Sequence, residues 1–384
     1  MFPSKGQFAL GKGRNAIVCG LCILSLCSCS TVRSFRRTPR GERLERIKQS
    51  SHWSGGHFRN QDPEFESDEP GLVPYTFSLL FPGSKSRPDC EVPVIRTDIK
   101  SLDRNRDLCI WLGHASVFIQ TGGVRFLMDP VLSNEWPQRM LLRPFKGTVC
   151  YTPDDMPELD AVIITHNHWD HLDYFTVTAL EDKVSSFICP LGVGEYLEYW
   201  GVPVSKIREM DWGDSLEVSG TTVHCLPAIH NSRRFAARDK SFWMALLLDS
   251  PGAKELKRTF ISGDGGFGGH FSAVPKRYGP IDLAIMENGQ YGNHGHSVHT
   301  RPEELVLEIE ALSPRMVLPY HNSKYALAKH PWNEPMDLLY EHSKSSAYIL
   351  LSPKIGEPVD FESSALPSEA WWRGMPCYKA FTEK

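Results

Sequence analysis

The chain has 384 residues, of which 41% are hydrophobic and 23% charged, the balance of an ordinary globular protein with enough apolar material for a sizeable core. Its formal net charge is −4. Nothing in that balance implies a nucleic-acid partner, which usually asks for a basic face, and none is expected. At the start of the chain, Lys5, Lys12 and Arg14 precede an apolar run from Ala16 to Cys29. The run is short for a bilayer span and has the layout of an export signal, so residues 1–29 are expected to be a signal peptide.

That segment ends in Leu26-Cys27-Ser28-Cys29, which resembles the bacterial lipobox and puts Cys29 in the lipidated place. Ser30 then implies sorting to the outer membrane of a bacterial cell envelope. A cleaved secretory signal or a short uncleaved anchor is the alternative. Between Thr31 and Ser50 the basic residues Arg33, Arg36, Arg37, Arg40, Arg43, Arg46 and Lys48 face only Glu42 and Glu45. They suit either anionic lipid head groups beside the anchor or a solvated linker. Residues 30–68 are therefore expected to be a basic flexible tether, and 69–384 the folded domain. Cys90, Cys109, Cys150, Cys189, Cys225 and Cys377 are scattered without a C-x-x-C pair, which speaks against a zinc ribbon. One or two disulfides remain open to an exported chain.

The segment 51–102 is irregular and Pro-rich, and is expected to wrap the core. From Leu108 the texture changes. Leu108–Thr121 and Val124–Met128, joined across Gly122-Gly123, read as a hairpin. Leu159–Thr165 is a continuous apolar run, the mark of a strand buried on both faces. A helix is expected from Phe175 to Glu181. Ser186–Cys189, Ser215–Val218, Thr221–Leu226, Phe242–Asp249, Thr259–Ser262, Ile281–Met286 and Met316–Pro319 read as strands. Pro302–Leu312 reads as an amphipathic helix with Thr300 as its N-cap. The tail from Ser346 supplies one or two more strands. Strands mixed with a few helices point to two packed sheets covered by helices, an α/β fold.

The densest chemistry is Thr165-His166-Asn167-His168-Trp169-Asp170-His171, directly after a buried strand, where a rigid scaffold holds a loop. His166 and His168 are two apart, so in extended chain both imidazoles point to one side. Asp170 and His171 reach a second position as the chain turns. Imidazole and carboxylate together suit Zn²⁺. Further candidates stand at other strand ends: His230, His321, and Asp264 among the glycines of Ser262-Gly263-Asp264-Gly265-Gly266. A carboxylate readily bridges two cations, which makes Asp264 the natural bridge. The expected first metal has His166, His168, His230 and Asp264, and the second has Asp170, His171, Asp264 and His321. Taken singly, His230 or His321 would more often be structural.

This ordered set resembles the metallo-β-lactamase superfamily. Trp111-Leu112-Gly113-His114-Ala115-Ser116, Met128-Asp129-Pro130, His171-Leu172-Asp173-Tyr174, His299-Thr300-Arg301-Pro302-Glu303-Glu304 and Tyr325-Ala326-Leu327-Ala328 resemble its N-acyl-phosphatidylethanolamine phospholipase D group and that group's bacterial outer-membrane relatives. The resemblance implies a four-layer αββα sandwich holding two Zn²⁺, with iron or manganese as substitutes. It implies hydrolysis of a phospholipid at a membrane surface by a metal-bridging hydroxide, with Asp170, Asp264 and His299 in catalytic places. His299 would donate to a phosphate oxygen or a leaving group. Asp129 is expected to support a ligand histidine, and His114 less so. Two departures border the site: Gly265 replaces a Thr or Ser, and Met286-Glu287-Asn288-Gly289-Gln290-Tyr291 replaces an Ile-Gly-Ala-Tyr turn. A lactonase or a small-molecule phosphodiesterase is the alternative on the same site. A catalytically silent, metal-binding envelope protein is a third reading, disfavoured by the intact ligand set. Oligomeric state is not readable from the sequence, and a homodimer is one option.

Overall fold

The computed structural model describes residues 37–61, 83, 85–136, 138–235, 237–292 and 298–380. The expected signal peptide, Cys29 and residues 30–36 and 62–68 of the expected tether lie outside them. Residues 37–61 are ordered, which corrects the expectation of a flexible tether running to residue 68. A helix, Gly41–Ile47, is followed by a hairpin of β1 (Trp53–Ser54) and β2 (His57–Phe58). The reason is apolar burial together with ion pairing. Ile47 and Phe58 are in the core, and Phe58 stacks on Phe242. Arg43 meets Glu195, Glu198 and Glu209 at 3.2, 2.7 and 2.8 Å.

The first sheet runs through β3 (Leu108–Trp111), β4 (Val117–Thr121), β5 (Val124–Met128), β6 (Leu159–Ile163), β7 (Val184–Pro190) and β8 (Ile207–Met210). The second takes β9 (Ser215–Val218) and β10 (Thr221–Leu226). After a small hairpin of β11 (Arg233–Arg234) and β12 (Ala237–Arg238), it continues with β13 (Ala245–Asp249), β14 (Arg258–Ile261), β15 (Leu283–Glu287), β16 (Met316–Tyr320) and β17 (Ile349–Leu350). β18 (Pro358–Asp360) returns to the first sheet beside β3, making each sheet seven-stranded. Each sheet is antiparallel in one half and parallel in the other: β5 to β8 in the first, β14 to β17 in the second.

Period-two alternation sorts the side chains into three apolar layers. Trp111, Ile119, Phe126 and Ile163 meet Val223, Leu246, Ile261 and Ile285 between the sheets. The alternate residues face outward. Phe118, Leu127 and Val162 pack against Val177 and Leu180 of helix Tyr174–Leu180. Leu247, Phe260, Ala284 and Val317 pack against Leu305, Ile309 and Leu312 of helix Pro302–Leu312. Every β5 and β15 residue is buried because both faces are covered. The result is the expected four-layer αββα sandwich.

Local differences have local causes. The stretch Leu108–Thr121 is two strands, broken where Gly113 and His114 take φ of 91° and 53°. Thr300 does not cap the helix. Its Oγ1 lies 2.7 Å from the Gly265 carbonyl and 2.7 Å from Glu308 Oε1, and Arg301 takes the N-cap position. Cys90 and Cys377 form a disulfide across 287 residues of chain, and Cys109, Cys150, Cys189 and Cys225 are free thiols.

Candidate metal centre

The parallel halves deliver the site, because parallel strands end on the same edge and their following loops meet there. His166 follows β6, Asp264 follows β14, Glu287 ends β15 and His321 follows β16. Asp129, just past β5, ties the metal-motif loop down. Its carboxylate accepts from Thr165 N and Thr165 Oγ1, each at 2.7 Å. The loop then turns, with His171 N and Leu172 N donating to His168 O at 3.2 and 3.0 Å. The buried Arg234 braces it from behind, donating to Leu172 O at 2.8 Å with its guanidinium 4.0 Å over the Trp169 ring. Gly263 shows why the glycines surround Asp264. Its φ is +62°, and a Cβ there would stand 2.6 Å from the Met244 carbonyl.

Seven residues expected as ligands converge, buried, in two clusters. His166, His168, His230 and Asp264 form one, and Asp170, His171 and His321 form the other together with His114. In the first, His168 Nδ1 is 2.9 Å from His166 Nε2 and 3.3 Å from His230 Nε2. In the second, His171 Nε2 and His321 Nε2 are 3.4 Å apart. Asp170 Oδ2 lies 3.5 and 3.3 Å from them. Asp264 faces both clusters. Its Oδ2 lies 3.1 and 3.0 Å from His171 and His321, and 3.8 and 3.9 Å from His166 and His230.

These spacings suit cations. Tetrahedral zinc with bonds of about 2.0–2.1 Å to nitrogen sets neighbouring ligand nitrogens about 3.3 Å apart. Asp264 Oδ1 is buried with no hydrogen-bond partner among the described residues. An orphaned carboxylate oxygen in such a place is costly unless something charged meets it. The donor set of five imidazoles and two carboxylates therefore fits a pair of divalent metals.

The electrostatics divide the clusters. Burial, reinforced by neighbouring imidazoles, holds His166 well below its ordinary value. Burial likewise brings His168 down to about 4 and His230 down to about 3. At His171 and His321 burial also opposes the charge, yet Asp264 and the other carboxylates raise both well above the ordinary value. Burial would raise the Asp170 and Asp264 carboxyls, but His171 leads the groups that hold them well below the usual range.

Around the clusters stands a ring of supports. Asp129 Oδ2 is 2.8 Å from His171 Nδ1. His230 Nδ1 bonds the Val298 carbonyl at 3.0 Å, and His166 Nδ1 meets Thr165 Oγ1 at 3.0 Å. His114, rated lower from the sequence, has its Nε2 2.8 Å from Asp170 Oδ2. His299 reaches the edge of the site, its ring centroid 5.2 Å from that of His230 and 5.5 Å from that of His321. Sequence reasoning missed Glu287. Its Oε1 lies 2.5 Å from His299 Nδ1 and 2.9 Å from His321 Nδ1. The available signal was its place at the end of a buried parallel strand, like the ligands.

Comparison with known proteins agrees with this architecture. The profile of the Beta-lactamase superfamily domain matches residues 124–322. An uncharacterized protein of Mycobacterium tuberculosis is 33% identical over 339 residues, 85% of this chain and 88% of that one. The N-acyl-phosphatidylethanolamine-hydrolyzing phospholipase D 1 of Caenorhabditis elegans is 30% identical over 251 residues, 60% of this chain and 68% of its own. The outer membrane protein RomA of Klebsiella pneumoniae is 43% identical over 100 residues, 26% of this chain and 73% of its own. Among solved structures, CmlA, a diiron β-hydroxylase from Streptomyces venezuelae, shares the fold at a TM-score of 0.52 and 20% identity, over 66% of this chain and 53% of its own. The chain belongs to the metallo-β-lactamase superfamily, in its N-acyl-phosphatidylethanolamine phospholipase D-like group, and is a metal-dependent hydrolase.

Proposed function

We propose that the chain is a dinuclear zinc phosphodiesterase of phospholipase D type. It cleaves N-acyl-phosphatidylethanolamine-like lipids to phosphatidic acid and an N-acylethanolamine. The observation that carries this reading is Asp264, one buried carboxylate turned to two clusters of histidine and carboxylate donors. His166, His168, His230 and Asp264 would hold one cation, and Asp170, His171, Asp264 and His321 the other. Iron or manganese would suit the same donors. A pair of divalent cations supplies Lewis acidity and a water whose pKa is drawn down to about 7.

The protein's own groups do the rest. Asp129 fixes the His171 ring by its Nδ1, and His114 steadies the Asp170 oxygen that faces His171 and His321. His299, partly exposed at the edge, donates a proton to the departing alkoxide oxygen as the phosphorus–oxygen bond breaks.

The N-terminal arm supports a lipid substrate. Tyr196 Oη donates to the Arg37 carbonyl at 3.0 Å and accepts from Asn167 Nδ2, inside the metal motif, at 3.4 Å. The arm thus joins the domain beside the metal loop. Seven residues lie between Cys29 and Arg37, a span of about 29 Å when fully extended. A lipidated Cys29 in the outer membrane would hold the site close to its substrate.

The test loads the full chain with zinc in mixed micelles containing N-acyl-phosphatidylethanolamine. Mass spectrometry then follows N-acylethanolamine, with His168→Ala as the control. Product that vanishes in the variant supports the reading. A metal-replete chain that makes none sinks it and moves the search to lactones and small phosphodiesters.

A further inference from the structure

Glu287 is a buried carboxylate outside the set of seven ligands. It ends β15, with β14 and β16 on either side. A carboxylate so buried persists only when its oxygens are engaged. Both are. Oε2 accepts from Gly265 N at 2.7 Å, next to Asp264 in the chain. Oε1 accepts from His299 Nδ1 at 2.5 Å and stands 2.9 Å from His321 Nδ1. One oxygen therefore stands between the histidine at the edge of the site and a histidine of the second cluster, while the other is pinned to the backbone. The rings of His299 and His321 lie nearly parallel, 15° apart. His299 itself sits on a loop, three residues before helix Pro302–Leu312. A loop side chain needs a partner on a rigid element to hold one orientation.

We propose that Glu287 is the positioning residue for His299: it grips the ring by Nδ1 and so directs the Nε2 edge at the reacting group. The logic is that of the aspartate behind a catalytic histidine in a Ser-His-Asp triad, which sets orientation without touching substrate. The role rests on the proposed action of His299 as proton donor. Glu287 lies in the stretch where the sequence departs from the Ile-Gly-Ala-Tyr turn of the group it resembles.

The experiment uses the full chain in detergent with zinc bound, as wild type, Glu287→Gln, Glu287→Asp, His299→Gln and the Glu287→Gln/His299→Gln double variant. Histidines are labelled with ¹⁵N. The Nδ1–H proton of His299 is identified by its loss in His299→Gln. It is expected far downfield in wild type, and displaced upfield or lost in Glu287→Gln. Zinc per chain should match wild type. With bis(p-nitrophenyl) phosphate as the probe, kcat should fall roughly 10–100-fold in Glu287→Gln with KM little changed. The double variant should be no slower than His299→Gln. Glu287→Asp should restore part of both the resonance and the rate.

An Nδ1–H resonance unmoved in Glu287→Gln overturns the proposal. So do losses that multiply in the double variant, or a rate loss explained by lost zinc, which would assign Glu287 to His321 instead. The resonance reads the hydrogen bond without turnover. If wild type fails to hydrolyse the probe, the phosphodiesterase reading fails while the positioning role is still decided by the spectrum.

Discussion

Around His168 the imidazoles lean on neutral groups: His230 on the Val298 carbonyl and His166 on the Thr165 hydroxyl. Around His321 the neighbours are carboxylates: His171 bonds Asp129, and Glu287 Oε1 stands 2.9 Å from His321 Nδ1. The first three histidines are pushed down by burial, while His171 and His321 are raised against burial by the acids. One site thus contains two environments. A carboxylate behind a ligand histidine raises its basicity, which strengthens metal binding but makes the proton a competitor. The second cluster should therefore bind its cation with greater pH dependence than the first.

Four measurements would break or sharpen that contrast. The largest effect belongs to Asp264, the carboxylate common to both clusters. Asp264→Ala should abolish turnover and drop the metal count by at least one per chain, read by inductively coupled plasma mass spectrometry. A variant that keeps both metals would remove Asp264 from the bridge. Next is a control outside the two clusters. Cys90→Ser opens the disulfide to Cys377 and should cost about 2–5 kcal/mol of stability. The thermal midpoint should fall while the metal count stays unchanged. A lost metal would mean that the two regions are coupled.

Asp129→Asn then tests the contrast itself. Affinity for the second cation should fall roughly 10–100-fold, with the first nearly spared. Equal weakening of both in a metal titration would mean that Asp129 acts through the Thr165 loop, not through His171. The smallest effect is a proton count. His171 and His321, raised, carry protons near neutral pH in the metal-free protein, and a cation must displace them. Binding at the second cluster should release about one to two protons at pH 7 and tighten as pH rises. The first cluster should release almost none, since His168 and His230 are neutral above about 4 and about 3. Calorimetry in buffers of different ionisation enthalpy separates the two. Equal release from both would erase the distinction.

Much of this was legible beforehand because it is local. Val124–Met128, Ser215–Val218, Thr221–Leu226 and Pro302–Leu312 stand as expected, since strand and helix periods are written in consecutive side chains. Leu159–Thr165 ends two residues early as a strand, at Ile163. Ile164 N still donates to the Ile188 carbonyl at 2.9 Å, but Asp129 captures Thr165 N and turns the chain out of the ladder. β8 was overlooked because Ile207–Met210 carries only two apolar residues, buried at its ends with charges between. The arm 37–61 looked like a tether because its basic composition is that of solvated chain. The acids that hold Arg43 stand 152 to 166 residues away.

The sequence by itself determined the donor types and their order, because apolar strands followed at once by histidine and aspartate describe both scaffold and ligand in a few consecutive residues. Its strands mixed with a few helices also pointed to two packed sheets covered by helices, and the family resemblance carried by its motifs implied the four-layer class. Only the tertiary structure decided who stands behind the ligands: Asp129 behind His171, His114 beside Asp170, Glu287 between His299 and His321. Those pairings depend on which strands end side by side and in what register. Residues 42, 56 and 34 positions apart meet there, as Asp129 and His171, His114 and Asp170, and Glu287 and His321. No local pattern carries that information, because a carboxylate's partner is chosen by the packing of the sheets around it.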